Sequence, residues 1–302
     1  MREGMGWGGK MRRVDEKERM GDMKRAGKIK IQEEDYGDRK PGKVTEATLY
    51  HCGYCTNNLG VLFRGVLWEK RNFPASVFRI CHKDFGEILY DTGYSEDIFR
   101  KGIFLWFYRF ILPVCFKKGD RIDEKLALDG ISRENVKIIL LSHNHPDHIG
   151  GLSCFPKYEL IGFKEVLKQI PVMSNVRSRR EPKKLMEDHF LCGYFQRVYD
   201  LFGDGSVIGV RLDGHCKGQM GLWIPDLKLF LAADAGWGRD LVRYTLSMRL
   251  APRLIQRNFF QYKDTLGRIC RMKKDYPWIQ VFFSHDMGRE KRFWPKYRKD
   301  GI

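Results

Sequence analysis

No stretch of eighteen consecutive apolar residues occurs in this chain of 302, so no segment reads as a membrane-spanning helix. The nearest approach, GIFLWFYRFILPVCF from Gly102 to Phe116, is short and interrupted by Arg109. The amino-terminal residues lack the apolar core of an export signal and mix charges of both signs. The 8 cysteines are irregularly spaced and suggest no disulfide framework. These absences together predict a protein of the reducing cytoplasm. No internal repeat is present, which excludes solenoid architectures. Charge is not lacking but lopsided. The formal net charge is +17, and residues 239–302 carry roughly +10 of it. That stretch nevertheless contains no run of Lys or Arg longer than two. The pattern points away from a nucleic-acid arm and toward a basic surface suited to an anionic partner.

Apolar residues make up 43% of the sequence, with 20 Phe, 13 Tyr and 7 Trp, enough for a packed core. Residues 1–42 alternate charge and Gly without an apolar period and are predicted to form a charged, disordered tail. Met11, Met20 and Met23 within it are alternative starts. Residues 43–302 are predicted to form the folded domain. VTEATLYHCGY, NFPASVFRICHK and EILYDTG read as strands, the last ending in a turn at Asp91-Thr92-Gly93. SRENVKIILLSH opens with a helix cap and closes as a buried strand. FKEVLKQI, the charged stretch that follows it to Phe190, and the amphipathic segment Arg239–Lys274 read as helical. Strands followed by helices in both halves predict two sheets between helices.

The stretch LLSHNHPDHIGG, Leu140–Gly151, crowds three histidines and an aspartate into six residues. Residues two apart on an extended backbone point the same way, so His143 and His145 can meet one ion. Pro146 then turns the chain, and Asp147 and His148 face elsewhere, toward a second ion. Burying such a cluster is costly, and metal ligation satisfies it. Partners should stand where other apolar runs stop. His215 follows VIGVRLDG, Asp234 follows LKLFLAA and His285 follows IQVFFS. His51, His82 and His189 fall outside this set.

These motifs, with ILYDTG carrying Asp91, resemble in order and spacing the metallo-β-lactamase superfamily over about residues 43–290. The resemblance implies an α/β (α+β) four-layer αββα sandwich with the site at one sheet edge. It implies that His143, His145 and His215 bind one metal, that Asp147, His148 and His285 bind a second, and that Asp234 bridges them. Asp91 would orient a ligand histidine or a site loop. Two Zn2+ suit such nitrogen-rich donors, and iron and manganese are compatible with them. The flavodiiron branch carries Glu where this chain has His145, which favours hydrolysis over redox chemistry. Two ions sharing a water lower its pKa from about 15.7 toward about 7. A bridging hydroxide of that kind, with Asp147 helping to hold it, would attack a lactone or ester carbonyl.

Within the superfamily, TLYHCGYC, DTG, the motif spacing and VFFSHDMGREKRFWPKY resemble the N-acyl-homoserine lactonase branch. The implied enzyme is a zinc-dependent, lactonase- or esterase-like hydrolase of an acyl-bearing small molecule such as an N-acyl-homoserine lactone. That branch carries a tyrosine three positions after the bridging aspartate, and this chain carries Trp237. An indole N–H donates only, so Trp237 can line the pocket or hydrogen-bond an oxyanion but cannot shuttle a proton. Tyr244 is the nearby phenol. Ile103–Phe116 has three readings: an acyl-chain pocket, a peripheral membrane contact, or a helix buried against the sandwich. The rival functions are a phosphodiesterase or nuclease of the same superfamily and a mononuclear iron sulfur-oxygenase. A homodimer is compatible with all of these. Cys52-x-x-Cys55 is expected to pack near the first strand rather than form a redox or zinc pair.

Overall fold

The computed structural model describes residues 42–287 other than 101, with the backbone alone for 104 and for 292–293. The expected tail, apart from residue 42, and most of GREKRFWPKY lie outside the described residues. β1 (Val44–Asn58), β2 (Lys70–His82) and β3 (Gly86–Tyr90) form an antiparallel meander. β4 (Val114–Cys115) pairs with β1. Beyond β3 the pairing turns parallel, through β5 (Val136–Leu140), β6 (Tyr158–Ile161) and β7 (Val176–Arg180). The second sheet is antiparallel through β8 (Lys184–Leu185), β9 (Val198–Asp200), β10 (Ile208–Arg211), β11 (Met220–Ile224) and β12 (Leu229–Leu231). β13 (Gln280–Phe282) lies parallel beside β12, and β14 (Arg292–Phe293) returns to β1. The α-helices are α1 (Leu59–Leu62), α2 (Ile103–Ile111), α3 (Ile122–Leu128), α4 (Pro146–Ile149), α5 (Lys164–Leu167), α6 (Leu250–Ile255) and α7 (Phe259–Asp275). None of the described helices is long and apolar enough to cross a membrane.

The period of two along the strands produces the layers. Ile88 and Tyr90 of β3, with Ile138 and Leu140 of β5, face Met220, Leu222, Leu229 and Leu231 of the other sheet. Between them, Leu89 and Ile139 point the opposite way and pack on Ile122 and Leu126 of α3. On the far side of the second sheet, Trp223 meets Phe190 and Phe230 stacks on Phe195. α7 buries Leu266, Ile269 and Met272 and is tied to this layer through Arg268, which donates to the Tyr194 carbonyl. The order helix, sheet, sheet, helix is the predicted sandwich.

Two helical expectations are corrected. The charged stretch before Phe190 forms β7 and β8, each at the edge of its sheet, with Pro182 between them. Exposed Lys and Arg with a nearby proline are how edge strands resist further pairing, and they conceal the strand from a search for apolar periodicity. Arg239–Lys274 is not continuous either. It divides into a 3-10 turn at Val242–Ser247, α6 and α7. At the second break the amides of Arg257 and Asn258 donate to the carbonyls of His215 and Gly214 instead of continuing the helix.

His189 sits before a 3-10 turn, its Nδ1 accepting the Leu191 amide at 3.3 Å. Burial pushes its imidazole down to about 4. The folded state therefore binds this proton more weakly than the unfolded chain. Its contribution to stability is whole above about 6.5 and is lost as the pH falls toward about 4. His189→Asn keeps a capping acceptor and removes the titration. Urea midpoints at pH 7.5 and 4.5 should then differ less in the variant than in the parent, and an unchanged difference would contradict this.

Candidate metal centre

All the predicted donors converge at one end of the two sheets. β5 stops at Leu140, and Leu141–Asn144 lead to α4, whose first residue is Pro146. Proline suits this position because its missing N–H would be unpaired there anyway. His143 and His145 precede the helix, while Asp147 and His148 ride on it, so the change of direction expected from Pro146 is made by a helical turn. The turn after β3 clamps the far end. The Thr92 amide donates to the His148 carbonyl at 2.8 Å. A side chain at position 151 would lie 2.5 Å from the Thr92 carbonyl oxygen, so glycine is required. His215, Asp234 and His285 stand on the loops after β10, β12 and β13.

The donor atoms form two sets. In the first, Nδ1 of His145 is 3.1 Å from Nε2 of His143 and 3.0 Å from Nε2 of His215. Oδ2 of Asp234 lies 3.7 Å from the His143 nitrogen and 3.4 Å from that of His215. In the second, Nε2 of His148 is 3.4 Å from Oδ2 of Asp147 and 3.5 Å from Oδ1 of Asp234. Nε2 of His285 lies 3.8 Å from Asp147 Oδ2 and 3.2 Å from Asp234 Oδ2. Tetrahedral coordination at zinc-like bond lengths separates neighbouring donors by about 3.3–3.4 Å. Both sets are close to that spacing; Asp234 sits in the second and lies within 3.7 Å of the first, whose fourth possible donor is the Cys216 sulfur. Nε2 of His148 and Oδ1 of Asp234 are buried with no hydrogen-bond partner among the described residues. Such atoms call for a ligand, and a cation between them supplies one.

Four of the five imidazoles are held from behind through their other nitrogen. His143 Nδ1 contacts Ser142 Oγ at 2.9 Å, and His148 Nδ1 contacts Asp91 Oδ2 at 2.7 Å. His215 Nδ1 meets Gln256 Oε1 at 2.8 Å, and His285 Nδ1 meets the Pro74 carbonyl at 2.9 Å. His145 Nε2 has only the Cys216 sulfur, at 3.5 Å. This bracing fixes ring orientation and tautomer, as in metal sites generally. Arg71, buried on β2, donates to the carbonyls of His285 and Trp237 and to Asp240, locking two site loops together.

With protein charges alone, burial and the neighbouring His148 hold His143 well below the ordinary histidine value. Burial and His215 push His145 down to about 3. Their lone pairs stay available. Burial disfavours a proton on His148 too, but Asp147 and Asp91 outweigh it and raise its pKa well above the usual range. Asp234 does the same for His285 against its burial. Burial works against ionising Asp147, yet His148 and His285 bring it down to about 2. A divalent ion entering the second set therefore displaces protons.

The aromatic run of α2 divides between inside and outside. Tyr108 turns inward, its hydroxyl 3.5 Å from Asp147 Oδ1 and 2.8 Å from the Tyr94 hydroxyl, while Trp106 and Phe110 stack on each other in solvent. Trp237 and Tyr244 are not among the donors. Both pack on Phe63, and Trp237 also meets Phe73, whose ring lies 5.9 Å from that of His285. Cys52 and Cys55 are buried in different clusters, Cys52 beneath α3 and Cys55 beside Phe63, so they do not form a pair facing one ligand.

Residues 72–285 match the metallo-β-lactamase superfamily. The chain belongs to that superfamily. This superfamily member is 25% identical over 272 residues to a probable metallo-hydrolase of Mycobacterium bovis, covering 77% of this chain and 87% of that one. It is 29% identical over 136 residues to the N-acyl homoserine lactonase AttM of Rhizobium radiobacter, covering 42% of this chain and 51% of that one. Among solved structures it resembles a variant of B. thuringiensis AiiA with N-decanoyl-L-homoserine bound at the active site. The TM-score is 0.61 at 17% identity, over 82% of this chain and 95% of that one. It also resembles AidC, a dizinc quorum-quenching lactonase, with a TM-score of 0.56 at 17% identity over 87% and 94%. At these identities the structures establish the fold. The family and the donor cluster together make the protein a metal-dependent hydrolase.

Proposed function

We propose that the chain is a dinuclear hydrolase that opens a lactone or ester carbonyl of an acyl-bearing small molecule. The observation that carries this reading is the pair of donor sets sharing Asp234. His143, His145 and His215 would hold one ion and Asp147, His148 and His285 the other, with Asp234 within reach of both. Zinc fits the mixture of five imidazoles and two carboxylates. Bound there, the two ions supply Lewis acidity and a water of lowered pKa.

The chain's own residues do the rest. Ser142, Asp91, Gln256, the Pro74 carbonyl and Cys216 keep the imidazoles aimed inward. Tyr108 reaches the Asp147 oxygen that faces away from His148 and steadies that carboxylate. Phe63, Phe73, Trp237 and Tyr244 wall the approach and exclude water, and they suit an acyl chain. Trp237 offers its indole N–H toward a substrate oxygen. The choice of a carbonyl substrate is supported by the lactonase neighbours, three of which hold an N-acyl-homoserine.

The test is metal quantification followed by a panel of acyl lactones, thioesters, phosphodiesters and a β-lactam. The expected result is two ions per chain and the highest kcat/KM on acyl lactones, rising with acyl length. One iron per chain would overturn the dinuclear reading. Preference for phosphodiesters, or indifference to acyl length, would overturn the substrate assignment.

A further inference from the structure

Exposed apolar side chains are unevenly spread over this protein. Of nineteen large ones exposed among the described residues, three lie in 61–68, six in 99–111 and five in 246–260. Several protrude strongly: Trp68 is 69% exposed, Phe110 72% and Leu254 76%. Isolated exposed leucines are ordinary, but a concentration of this kind marks a contact surface.

The three segments meet on one underlying cluster. Phe63 bridges to Met248, the Arg64 amide donates to the Ser247 carbonyl at 2.9 Å, and the Arg249 amide donates to Leu62 at 2.8 Å. Leu62, Phe63 and Met248 share a buried cluster with Leu241, against which Leu112, at the end of α2, also packs. The three segments therefore flank the buried cluster against which Trp237 and Tyr244 pack.

Cations are interleaved with it. Residues 241–263 carry Arg243, Arg249, Arg253, Arg257 and Lys263 and no carboxylate. Arg64 and Arg243 are exposed beside the apolar residues. We propose that this rim is a docking surface for an anionic lipid bilayer, its aromatic and leucine side chains entering the interface while the cations meet the headgroups. A second copy of the chain is the poorer occupant. A two-fold contact would set the cations of 241–263 against their own copies, whereas the centre of a protein interface is depleted of charge. The proposal stands apart from the reaction assigned above and does not rest on it.

The test is co-sedimentation of the full chain with vesicles of neutral phosphatidylcholine and with vesicles containing one third phosphatidylglycerol. Binding should be at least about tenfold stronger to the anionic vesicles and should fall as salt rises from about 0.1 to 0.5 M, where screening shortens. The double substitutions Trp106→Ser with Phe110→Ser and Leu250→Ser with Leu254→Ser should each weaken it about tenfold. Circular dichroism confirms that the variants fold. No binding, or equal salt-insensitive binding to both vesicles, overturns the proposal. A concentration-dependent dimer in sedimentation equilibrium that both double variants abolish, without vesicle binding, overturns it in favour of self-association.

Discussion

Asp234→Ala is expected to remove metal and activity together, with metal content falling below one ion per chain and kcat/KM falling by on the order of 10³. Asp234 is the carboxylate that lies beside both sets, with Oδ2 3.4 Å from His215 Nε2 and 3.2 Å from His285 Nε2, and Oδ1 3.5 Å from His148 Nε2. Deleting it removes a carboxylate from beside both sets at once and leaves His148 with Asp147 and Asp91, and His285 with Asp147 alone, as compensating charge in a buried site. His145→Ala should lose the first ion in the same way, since Nδ1 of His145 lies between the Nε2 atoms of His143 and His215, at 3.1 and 3.0 Å. The measurements are metal content by mass spectrometry, turnover on the best substrate of the panel, and circular dichroism to establish folding. Near-normal turnover in a folded, metal-depleted variant would sink the mechanism.

The second large effect is expected at Asp91, which touches no substrate. Its carboxylate is fully buried and accepts from the Ser142 amide at 2.8 Å, the Ser142 hydroxyl at 2.7 Å and His148 Nδ1 at 2.7 Å. Its backbone is left-handed, with φ 63°, a conformation aspartate tolerates better than most residues. Burial raises its pKa, and the His148 and Ser142 bonds oppose that rise. Asp91→Ala leaves the buried Ser142 amide unpaired and His148 Nδ1 with only the Ser142 hydroxyl, 3.3 Å away, and should destabilise the fold by about 3–5 kcal/mol. Asp91→Asn fits the backbone and retains an acceptor for the Ser142 amide, so stability should fall far less. It cannot accept from both Ser142 Oγ and His148, so second-ion affinity should still drop about 10–100-fold. Urea melts and chelator competition separate the two effects. Equal metal affinity in Asn and parent would show that Asp91 supports the loop and not the ligand.

The residues that gather at the candidate metal centre were legible in the sequence because each ends an apolar run. A strand that stops at a sheet edge leaves its next residues facing the same end of the sandwich, so position along the chain encoded position in space. The braces were not legible. Gln256 and the Pro74 carbonyl reach His215 and His285 through tertiary proximity alone, and neither residue type draws notice in its own segment. Tyr108 was concealed for another reason. A run of aromatics looks uniform in sequence, but the helical period sends Tyr108 toward Asp147 and Trp106 and Phe110 outward. The edge strands β7 and β8 were misread because the charges that protect an edge also erase its alternation.

The parallel pairing of β13 with β12 has a consequence for how the protein is made. His143, His145, His215 and Asp234 all leave the ribosome before β13 exists, and His285 is carried just past its end. The first donor set is thus whole in a nascent chain, while the second must wait for the last strand of its sheet to dock. On the proposed dinuclear reading, an ion arriving early would meet one set of donors complete and the other still lacking His285, and the order of translation would become an order of loading.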